Sequence, residues 1–360
     1  MPANRPPDLH QPTTEQAGPP MPRGLARISR KWWLIGLLVL VVIGATVLAV
    51  STQGHPRSTG ANVAQPGSPT PEPAPSGSAA PSASPSASAS ASHSAAPSAR
   101  ANGPVDPHRP NCAPHPSGCG FPDGSNTGVP AGTKLTVVNG DMKISQAGAV
   151  IDGKDIRGCV DIEAPKVTIR RSKIACANFY VVASFSERYS GGGAVLQDVE
   201  IDCLKSAGTG IGYYGLTATR VNIHGCENGF DIDNTMTVQD SYIHDLNETA
   251  TAHTDGIQLA GGAHITITHN TIFNPGGTSA VISHPSANSD VLVSSNLLAG
   301  GAYTLYCPRD SSTNFRVINN RFSTMFSPKS GAYGPWTDCE KAAVVTGNVW
   351  DANLQALPNG

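Results

Sequence analysis

From about residue 111 onward, the chain repeats one short pattern with a loose period of about 20 to 29 residues. Each repeat alternates apolar and polar residues over a few positions, has a polar residue at a turn, and ends in a second short apolar pair. Alternation with a period of two is typical of strands, so each repeat is predicted to be a strand, a turn and a strand. Eight segments align in this way: VTIRRSKIAC (167–176), AVLQDVEIDC (194–203), LTATRVNIHGC (216–226), MTVQDSYIHDL (236–246), ITITHNTIFNP (265–275), VLVSSNLLAGG (291–301), FRVINNRFS (315–323) and AVVTGNVW (343–350).

No amphipathic helical pattern separates these segments, so the crossovers that parallel strands require must be made of further strands and turns. We therefore predict an all-β domain over residues 109–360, coiled as a parallel β-helix solenoid. One turn position is polar in every repeat, and we expect its side chains to form a column of hydrogen bonds from coil to coil. Asparagine at such a position also tolerates the left-handed backbone of a tight turn. The predicted column is Ser172, Asp198, Arg220, Asp240, Asn270, Asn296, Asn320 and Asn348.

The repeated V/I-x-I-x-x-N-x-I coil and its asparagine column resemble the pectate-lyase-like superfamily of right-handed parallel β-helices. The resemblance covers roughly residues 130–350 and is one of architecture. It implies a right-handed coil.

The N-terminal part of the chain has a different composition. Residues 32–50 include no charged residue and, at about 1.5 Å per residue, reach across a hydrocarbon core of roughly 30 Å. Basic residues precede this run at positions 23, 27, 30 and 31, so residues 1–31 are expected in the cytoplasm and the rest outside. A cleaved signal peptide is the alternative, although its apolar region is usually shorter and ends in a small-x-small site. We predict a single-pass anchor in the cell membrane.

Residues 51–108 are rich in Ser, Pro and Ala and contain almost nothing to bury. Such a composition predicts a disordered, extended stalk between the membrane helix and the β-helix.

All eight cysteines follow the predicted membrane helix, which fits disulfides in an oxidising space. Pairing of neighbours along the chain is expected, although eight cysteines allow 105 connectivities. A cysteine zinc site is the alternative, but the sequence has no C-x-x-C pair. The expected pairs are Cys112–Cys119, Cys159–Cys176, Cys203–Cys226 and Cys307–Cys339.

The charge excludes one class of partner. The formal net charge is −2 and 14% of the residues are charged, with no basic stripe of the kind that binds nucleic acid. A monomer that meets a polysaccharide or cell-wall glycan is expected.

One row of predicted strands is expected to present a groove, because alternate side chains of a strand point outward. The residues expected inside are Ile211, Phe230, Ile257, Val281 and Tyr303. The two outward columns are expected to be Gly212, Asp231, Gln258, Ile282, Thr304 and, two residues on, Tyr214, Asp233, Ala260, His284, Tyr306.

This register brings carboxyl, imidazole and aromatic groups together. Cleavage of a glycosidic bond uses two carboxyl groups at a controlled separation, and their mutual repulsion raises one carboxyl pKa. The candidate catalytic residues are Asp231, Asp233, Asp255 and His284; the candidate substrate-binding residues are His253, Gln258, Tyr214, Tyr306 and Arg309.

The segment His253-Thr254-Asp255-Gly256 is similar to the Asn-Thr-Asp-Gly motif of polygalacturonases, and this resemblance implies that Asp255 is a catalytic acid. His253 replaces the asparagine, and the family's Gly-His-Gly and Arg-Ile-Lys motifs are absent from the sequence. A structural role is the alternative, because Asp before Gly is a common turn former.

Two further interpretations remain open. A lyase would need Ca²⁺ held by carboxylates such as Asp231, Asp233 and Asp255, with Arg309, Tyr306 or His284 as the base. His253, Asp255 and His284 are also of the types that form a mixed transition-metal site. No cofactor is required by any motif. Cleavage of polysaccharide is the leading hypothesis, and a non-catalytic binding, adhesin or structural protein is the alternative.

Overall fold

The computed structural model describes residue 106 and residues 108–185, 192–249, 251–285, 287–309 and 312–358. The predicted cytoplasmic tail and membrane helix lie outside the described residues, as does the predicted stalk except for positions 106 and 108. Within the described ranges there is no helix with the length and hydropathy that a membrane crossing requires.

The described residues form a parallel β-helix of three sheets, named A, B and C. Successive strands belong to A, B and C in turn, and each strand pairs in parallel with the strand one coil later. Sheet A is β1 (Thr136–Asn139), β4 (Lys154–Arg157), β7 (Lys173–Ala175), β10 (Glu200–Asp202), β13 (Asn222–His224), β16 (Tyr242–Ile243), β19 (Thr271–Asn274), β22 (Leu297–Gly300), β25 (Arg321–Phe322) and β28 (Val349–Trp350). Sheet B is β2 (Met142–Ile144), β5 (Val160–Ile162), β8 (Tyr180–Phe185), β11 (Thr209–Tyr214), β14 (Asn228–Ile232), β17 (Asp255–Leu259), β20 (Ser279–Ser283), β23 (Tyr303–Tyr306) and β26 (Gly334–Thr337). Sheet C is β3 (Val150–Asp152), β6 (Thr168–Arg170), β9 (Ala194–Gln197), β12 (Leu216–Thr219), β15 (Met236–Gln239), β18 (Gly262–Thr268), β21 (Asn288–Ser294), β24 (Thr313–Ile318) and β27 (Val344–Thr346). Two 3-10 helices, Pro116–Cys119 and Cys339–Lys341, lie outside the sheets.

The core consists of apolar columns that run along the solenoid. In sheet C each inward position pairs with an inward position of the next coil, and every member of that column is fully buried: Ile169, Leu196, Ala218, Val238, Ile267, Val293 and Val317. Burial of such an aliphatic side chain stabilises the fold by about 1.5–3 kcal/mol. The apolar positions that alternate in the sequence are therefore the residues that form these columns.

All eight predicted strand–turn–strand segments are present, as β6–β7, β9–β10 and the corresponding pairs up to β27–β28. A ninth corner of the same kind, Val150–Asp152 followed by Lys154–Arg157, precedes them and was not predicted. Its turn residue is Gly153, which has a φ of 64° and leaves no polar side chain to mark the repeat.

The asparagine ladder is confirmed in four coils. Asn270, Asn296, Asn320 and Asn348 are buried, and the Nδ2 group of each of the first three donates to Oδ1 of the next asparagine at 2.9–3.0 Å. Each Nδ2 also donates to a backbone carbonyl of the adjacent coil, as Asn296 does to Ile267 at 3.0 Å. The buried amides therefore satisfy one another, which removes the cost of burying them.

The predicted column was wrong by one residue in three coils. Asp198, Arg220 and Asp240 have φ values of 57°, 52° and 52° and occupy the turn residue before the ladder, where His269 has a φ of 54°. The ladder position after Asp240 is Ser241, whose backbone N–H donates to Oδ1 of Asn270 at 2.9 Å. The left-handed backbone thus belongs to the residue before each asparagine and not to the asparagine itself.

The four predicted disulfides are present, and all eight cysteines are paired: Cys112–Cys119, Cys159–Cys176, Cys203–Cys226 and Cys307–Cys339. Three of them join neighbouring coils or turns of the solenoid. Four disulfides fit an oxidising, extracellular environment.

Residues 109–129 form a strap along the outside of the solenoid, a feature that the sequence did not predict. At one end, the backbone N–H of Asn111 donates to the carbonyl of Asp351 in the last coil. At the other, the N–H of Gly128 donates to the carbonyl of Arg220 at 2.9 Å. Between them, Phe121 and its neighbours pack on outward residues of sheet A such as Phe273. The strap covers sheet A, whereas sheet B keeps an outer face with half-exposed and exposed side chains.

Candidate functional site

The outer face of sheet B between β8 and β23, named the B face, is where the predicted groove lies. Of the side chains predicted to point inward, Ile211, Phe230, Ile257 and Val281 are fully buried. Tyr303 was placed wrongly, because Leu305 pairs with Val281 and takes the buried position. The register thus differs by two residues from the prediction, and the turn before this strand has two left-handed glycines at positions 300 and 301, with φ values of 91° and 79°.

This shift also corrects the outward columns. Thr304 is fully buried, and Tyr306 pairs with Ile282 and so follows Asp231 and Gln258. Tyr306 therefore does not lie in the column of Asp233, where it was predicted.

Asp231 is held by a tyrosine from two strands away. The hydroxyl of Tyr180 on β8 donates to Oδ2 of Asp231 on β14 at 2.8 Å. Gly212 lies between them on β11, and a Cβ there would come within 2.2 Å of the Tyr180 ring. Burial and the bond to Asp231 both raise the pKa of Tyr180, so the phenol remains protonated and keeps donating.

Asp233 is the most exposed carboxyl of the group. It follows Asp231 by two residues and lies one position beyond the end of β14, where its backbone N–H donates to the Tyr213 carbonyl at 3.0 Å. Partial burial raises the pKa of Asp233, and the charge of Asp231 raises it further. The protonated form of Asp233 therefore persists to higher pH than in a solvated aspartate.

Asp255 lies beneath the surface, with 1% of the residue exposed. Its Oδ1 accepts a hydrogen bond of 2.5 Å from the Ser279 hydroxyl and its Oδ2 accepts one of 3.3 Å from Nε2 of Gln258. Its backbone N–H donates to Oδ1 of Asn228 at 2.9 Å. Burial raises the pKa of Asp255 to about 7, and the hydrogen bonds from Ser279 and Gln258 oppose that shift only in part.

The ring of Tyr180 belongs to an aromatic cluster at one end of the B face. The centroid of Tyr213 lies 4.7 Å from that of Tyr180 and 4.5 Å from that of Phe185, while Tyr214 lies 6.4 Å from Phe185. Tyr213 has a φ of 76°, and it is half-buried where its partner Ile232 in the next strand is fully buried. The unusual backbone thus turns a residue at an inward position into a member of the cluster.

A second aromatic group lies at the other end. The Tyr303 centroid is 5.5 Å from Tyr306 and 5.7 Å from Tyr333, which is 69% exposed. Arg309 follows this strand, and its Nε donates to Oδ2 of Asp338 at 2.9 Å. The predicted substrate-binding Tyr214 and Tyr306 thus lie at opposite ends of the B face.

The two candidate histidines do not join the carboxyl group. His253 is exposed in the loop before β17, and His284 follows β20 with its backbone N–H donating to the Leu259 carbonyl at 3.1 Å. Neither imidazole forms a hydrogen bond or ion pair with Asp231, Asp233 or Asp255, all of which are described residues.

The carboxyl groups do not fit a Ca²⁺ site. Both oxygens of Asp255 accept hydrogen bonds from Ser279 and Gln258, and Asp231 accepts one from Tyr180. In the part of the chain that the structure describes, no group of three or more His, Cys, Asp or Glu side chains is arranged to hold a metal ion. The mixed His253, Asp255 and His284 site is likewise not assembled.

A second charged cluster lies on the outer face of sheet A. Glu200 accepts a bond from Lys173 at 2.8 Å and lies 3.4 Å from Nε2 of His224. The hydrogen bond with His224 and the charge and bond of Lys173 lower the pKa of Glu200 to about 2. These groups neutralise one another, which is the behaviour of a structural ion-pair network.

Several residues of the B face escaped the sequence analysis. Tyr180 lies outside the strands that were aligned for the groove, Tyr213 lies in one of them but at neither outward position, and Ser279 directly precedes another. One signal was available: the glycine at 212 faces outward in a strand, and glycine there marks the close approach of another group.

Comparison with known proteins gives no match to a family model, to a curated protein or to a solved structure.

Proposed function

We propose that this chain is a membrane-anchored, extracytoplasmic protein that binds polysaccharide on the B face and hydrolyses it. The observation that carries the proposal is a pair of solvent-accessible carboxyl groups, Asp231 on β14 and Asp233 just after it, close enough for the charge of Asp231 to act on Asp233 and flanked by aromatic rings. Tyrosine rings suit the apolar faces of sugars, and a pair of carboxyl groups suits the glycosidic bond. The proposal includes the right-handed coil, kinship with the pectate-lyase-like superfamily and an anchor at residues 32–50.

We assign the role of general acid to Asp233 and that of general base to Asp231. Asp233, whose pKa is raised, donates its proton to the glycosidic oxygen as the bond to the anomeric carbon breaks. Asp231 accepts a proton from the water that attacks that carbon, and the Tyr180 hydroxyl holds its carboxylate in place. Solvent then returns a proton to Asp233 and removes one from Asp231.

A second candidate function is glycan binding without cleavage. The burial of Asp255 and its bonds to Ser279 and Gln258 favour this alternative, because they give the motif aspartate a role in the fold. The catalytic role suggested for Asp255 by the polygalacturonase-like segment stays a prediction.

The test is to incubate the purified full-length chain with a panel of neutral and uronate-rich polysaccharides. New reducing ends are followed and, separately, the ultraviolet absorbance of unsaturated products. Reducing ends without that absorbance support hydrolysis, and both together indicate a lyase. Asp231→Asn and Asp233→Asn should each lower turnover by about 10²–10⁴-fold. Asp161→Asn, at an exposed aspartate of β5, is the matched control.

Three other outcomes are informative. Full activity in both Asp231→Asn and Asp233→Asn, with loss in Asp255→Asn, would move the chemistry to the buried carboxyl. Retention of a polysaccharide on the immobilised chain without cleavage would favour the binding function. If no polysaccharide is bound or cleaved, the proposed function is wrong.

A further inference from the structure

Resting on the proposed function, we propose that the B face recognises an uncharged polysaccharide and discriminates against polymers that carry carboxylates. The first support is the sequence of the six strands that form this face: β8, β11, β14, β17, β20 and β23 contain neither lysine nor arginine. A face that binds a polyanion would be expected to present cations to it.

The charges that the B face does present are negative. Asp231 on β14 is half-exposed, and Asp233, which follows the end of that strand, is exposed. Asp255 lies just beneath, and the negative charge of Glu227 is close enough to act on it. A uronate bound across these coils would bring a carboxylate to each sugar position and set it against these groups.

One cation at each border is paired with a carboxylate, and Lys341 at the last coils donates from Nζ to the Arg309 carbonyl. At the first coils, Nζ of Lys143 lies 2.8 Å from a carboxylate oxygen of Glu163. At the last, Nε of Arg309 lies 2.9 Å from Asp338. His253 and His284 add positive charge only when protonated, so the face has no permanent free cation on its six strands.

The remaining side chains suit neutral sugars. Aromatic rings lie at both ends, around Tyr180 and around Tyr303, and the outward column between them includes Gln258 and Ile282. Rings contact the C–H faces of a sugar, and the Gln258 amide and the carboxylates accept or donate hydrogen bonds to its hydroxyl groups.

The experiment compares matched ligands on the full-length chain. Each polysaccharide of the panel is used unmodified, carboxymethylated, and carbamoylmethylated as an uncharged substituent of similar size. Binding is measured by affinity electrophoresis at pH 8, above the usual titration range of imidazole. We expect carboxymethylation to weaken binding at least tenfold relative to carbamoylmethylation, with a difference that shrinks as salt is added.

A variant with an added lysine tests whether the lack of cations on the B face causes the discrimination against carboxylates. Ile282→Lys places a cation among Gln258 and Tyr306 on the B face, and Thr266→Lys places the same charge on the outer face of sheet C. Ile282→Lys should reduce the discrimination at least tenfold, and Thr266→Lys should leave it unchanged.

The outcomes separate this inference from the proposed function. Equal or tighter binding of the carboxymethylated polymer overturns the inference while leaving a polysaccharide-binding protein. The same holds if Ile282→Lys and Thr266→Lys behave alike. If no polysaccharide binds, whether charged or uncharged, the result would instead count against the proposed function.

Discussion

The hydroxyl of Tyr180 donates a 2.8 Å hydrogen bond to Asp231 across an intervening strand. The tyrosine ring reaches that far because Gly212, on the strand between them, has no side chain. A carboxylate of the candidate site therefore depends on a residue two coils away and on a glycine in the strand between them.

Gly212→Ala should displace the Tyr180 ring, because the new Cβ would lie within 2.2 Å of it. We expect a loss of about 1–3 kcal/mol in the free energy of unfolding and a loss of glycan binding or cleavage. Tyr180→Phe should reproduce the functional loss, since it removes the bond to Asp231. Gly124→Ala is the control, because a Cβ at Gly124 meets nothing within 4 Å. Full function in both Gly212→Ala and Tyr180→Phe would show that the bond to Asp231 is dispensable.

Asn296→Ala should destabilise the solenoid strongly. The change leaves the Ile267 carbonyl without its side-chain donor and Asn270 without its acceptor, in a fully buried environment. Each unsatisfied buried group costs about 1–3 kcal/mol, so we expect a loss of about 2–5 kcal/mol in denaturant unfolding. Asn139→Ala, at an exposed position of β1, should change stability by less than about 0.5 kcal/mol. Equal effects of the two substitutions would contradict an energetic role for the ladder.

The buried carboxyl of Asp255 should make stability depend on pH. Its folded-state pKa of about 7 is higher than the value of about 3.9 in an unfolded chain. The folded state therefore binds the proton more tightly, so this contribution is complete below pH 4 and is lost as the pH rises to 7. The loss is at most about 4 kcal/mol.

Urea unfolding at pH 5 and pH 8 measures this effect. Asp255→Asn should show a smaller drop between the two pH values than the unsubstituted chain, because asparagine does not titrate. Asp161→Asn should retain the full drop. A drop of the same size in Asp255→Asn would mean that Asp255 does not titrate between those values.

Mild reduction of the folded chain should open one disulfide first. Cys159 is only partly buried, whereas Cys203 and Cys226 are fully buried and lie under neighbouring coils. Attack by a thiol requires access to a sulfur atom, so alkylation followed by mass spectrometry should label Cys159 and Cys176 before Cys203 and Cys226. Labelling in the reverse order would show that the coils open more readily near Cys203 than the static structure indicates.

The alternating pattern was enough to predict the parallel strands, since the apolar positions of successive coils lie directly over one another. The pairing of cysteines was also predictable, because neighbours in sequence are neighbours along a solenoid. The ladder was predicted correctly where it is made of asparagine. The prediction was wrong by one residue at Asp198, Arg220 and Asp240. Two adjacent positions of the turn accept polar residues, and only the second of them belongs to the ladder.

The site was harder to predict than the fold. Tyr303 and Tyr306 follow a turn with two left-handed glycines, and a pattern of apolar residues does not show where the strand register resumes after such a turn. The bond from Tyr180 to Asp231 joins residues 51 positions apart through the space over a glycine. The sequence placed Asp231 and Asp233 on one strand, whereas β14 ends at Ile232 and Asp233 follows it.

The strap determines which part of the domain detaches first when force is applied at its N-terminal side. Because Asn111 and Ala113 bond to Asp351, tension applied through the segment before them reaches the last coil of the solenoid and not the first. The first coil, at Thr136, is reached only after residues 109–129 have been stripped from the outside of sheet A. Force applied through the residues before the strap would thus detach the strap before any coil unwinds.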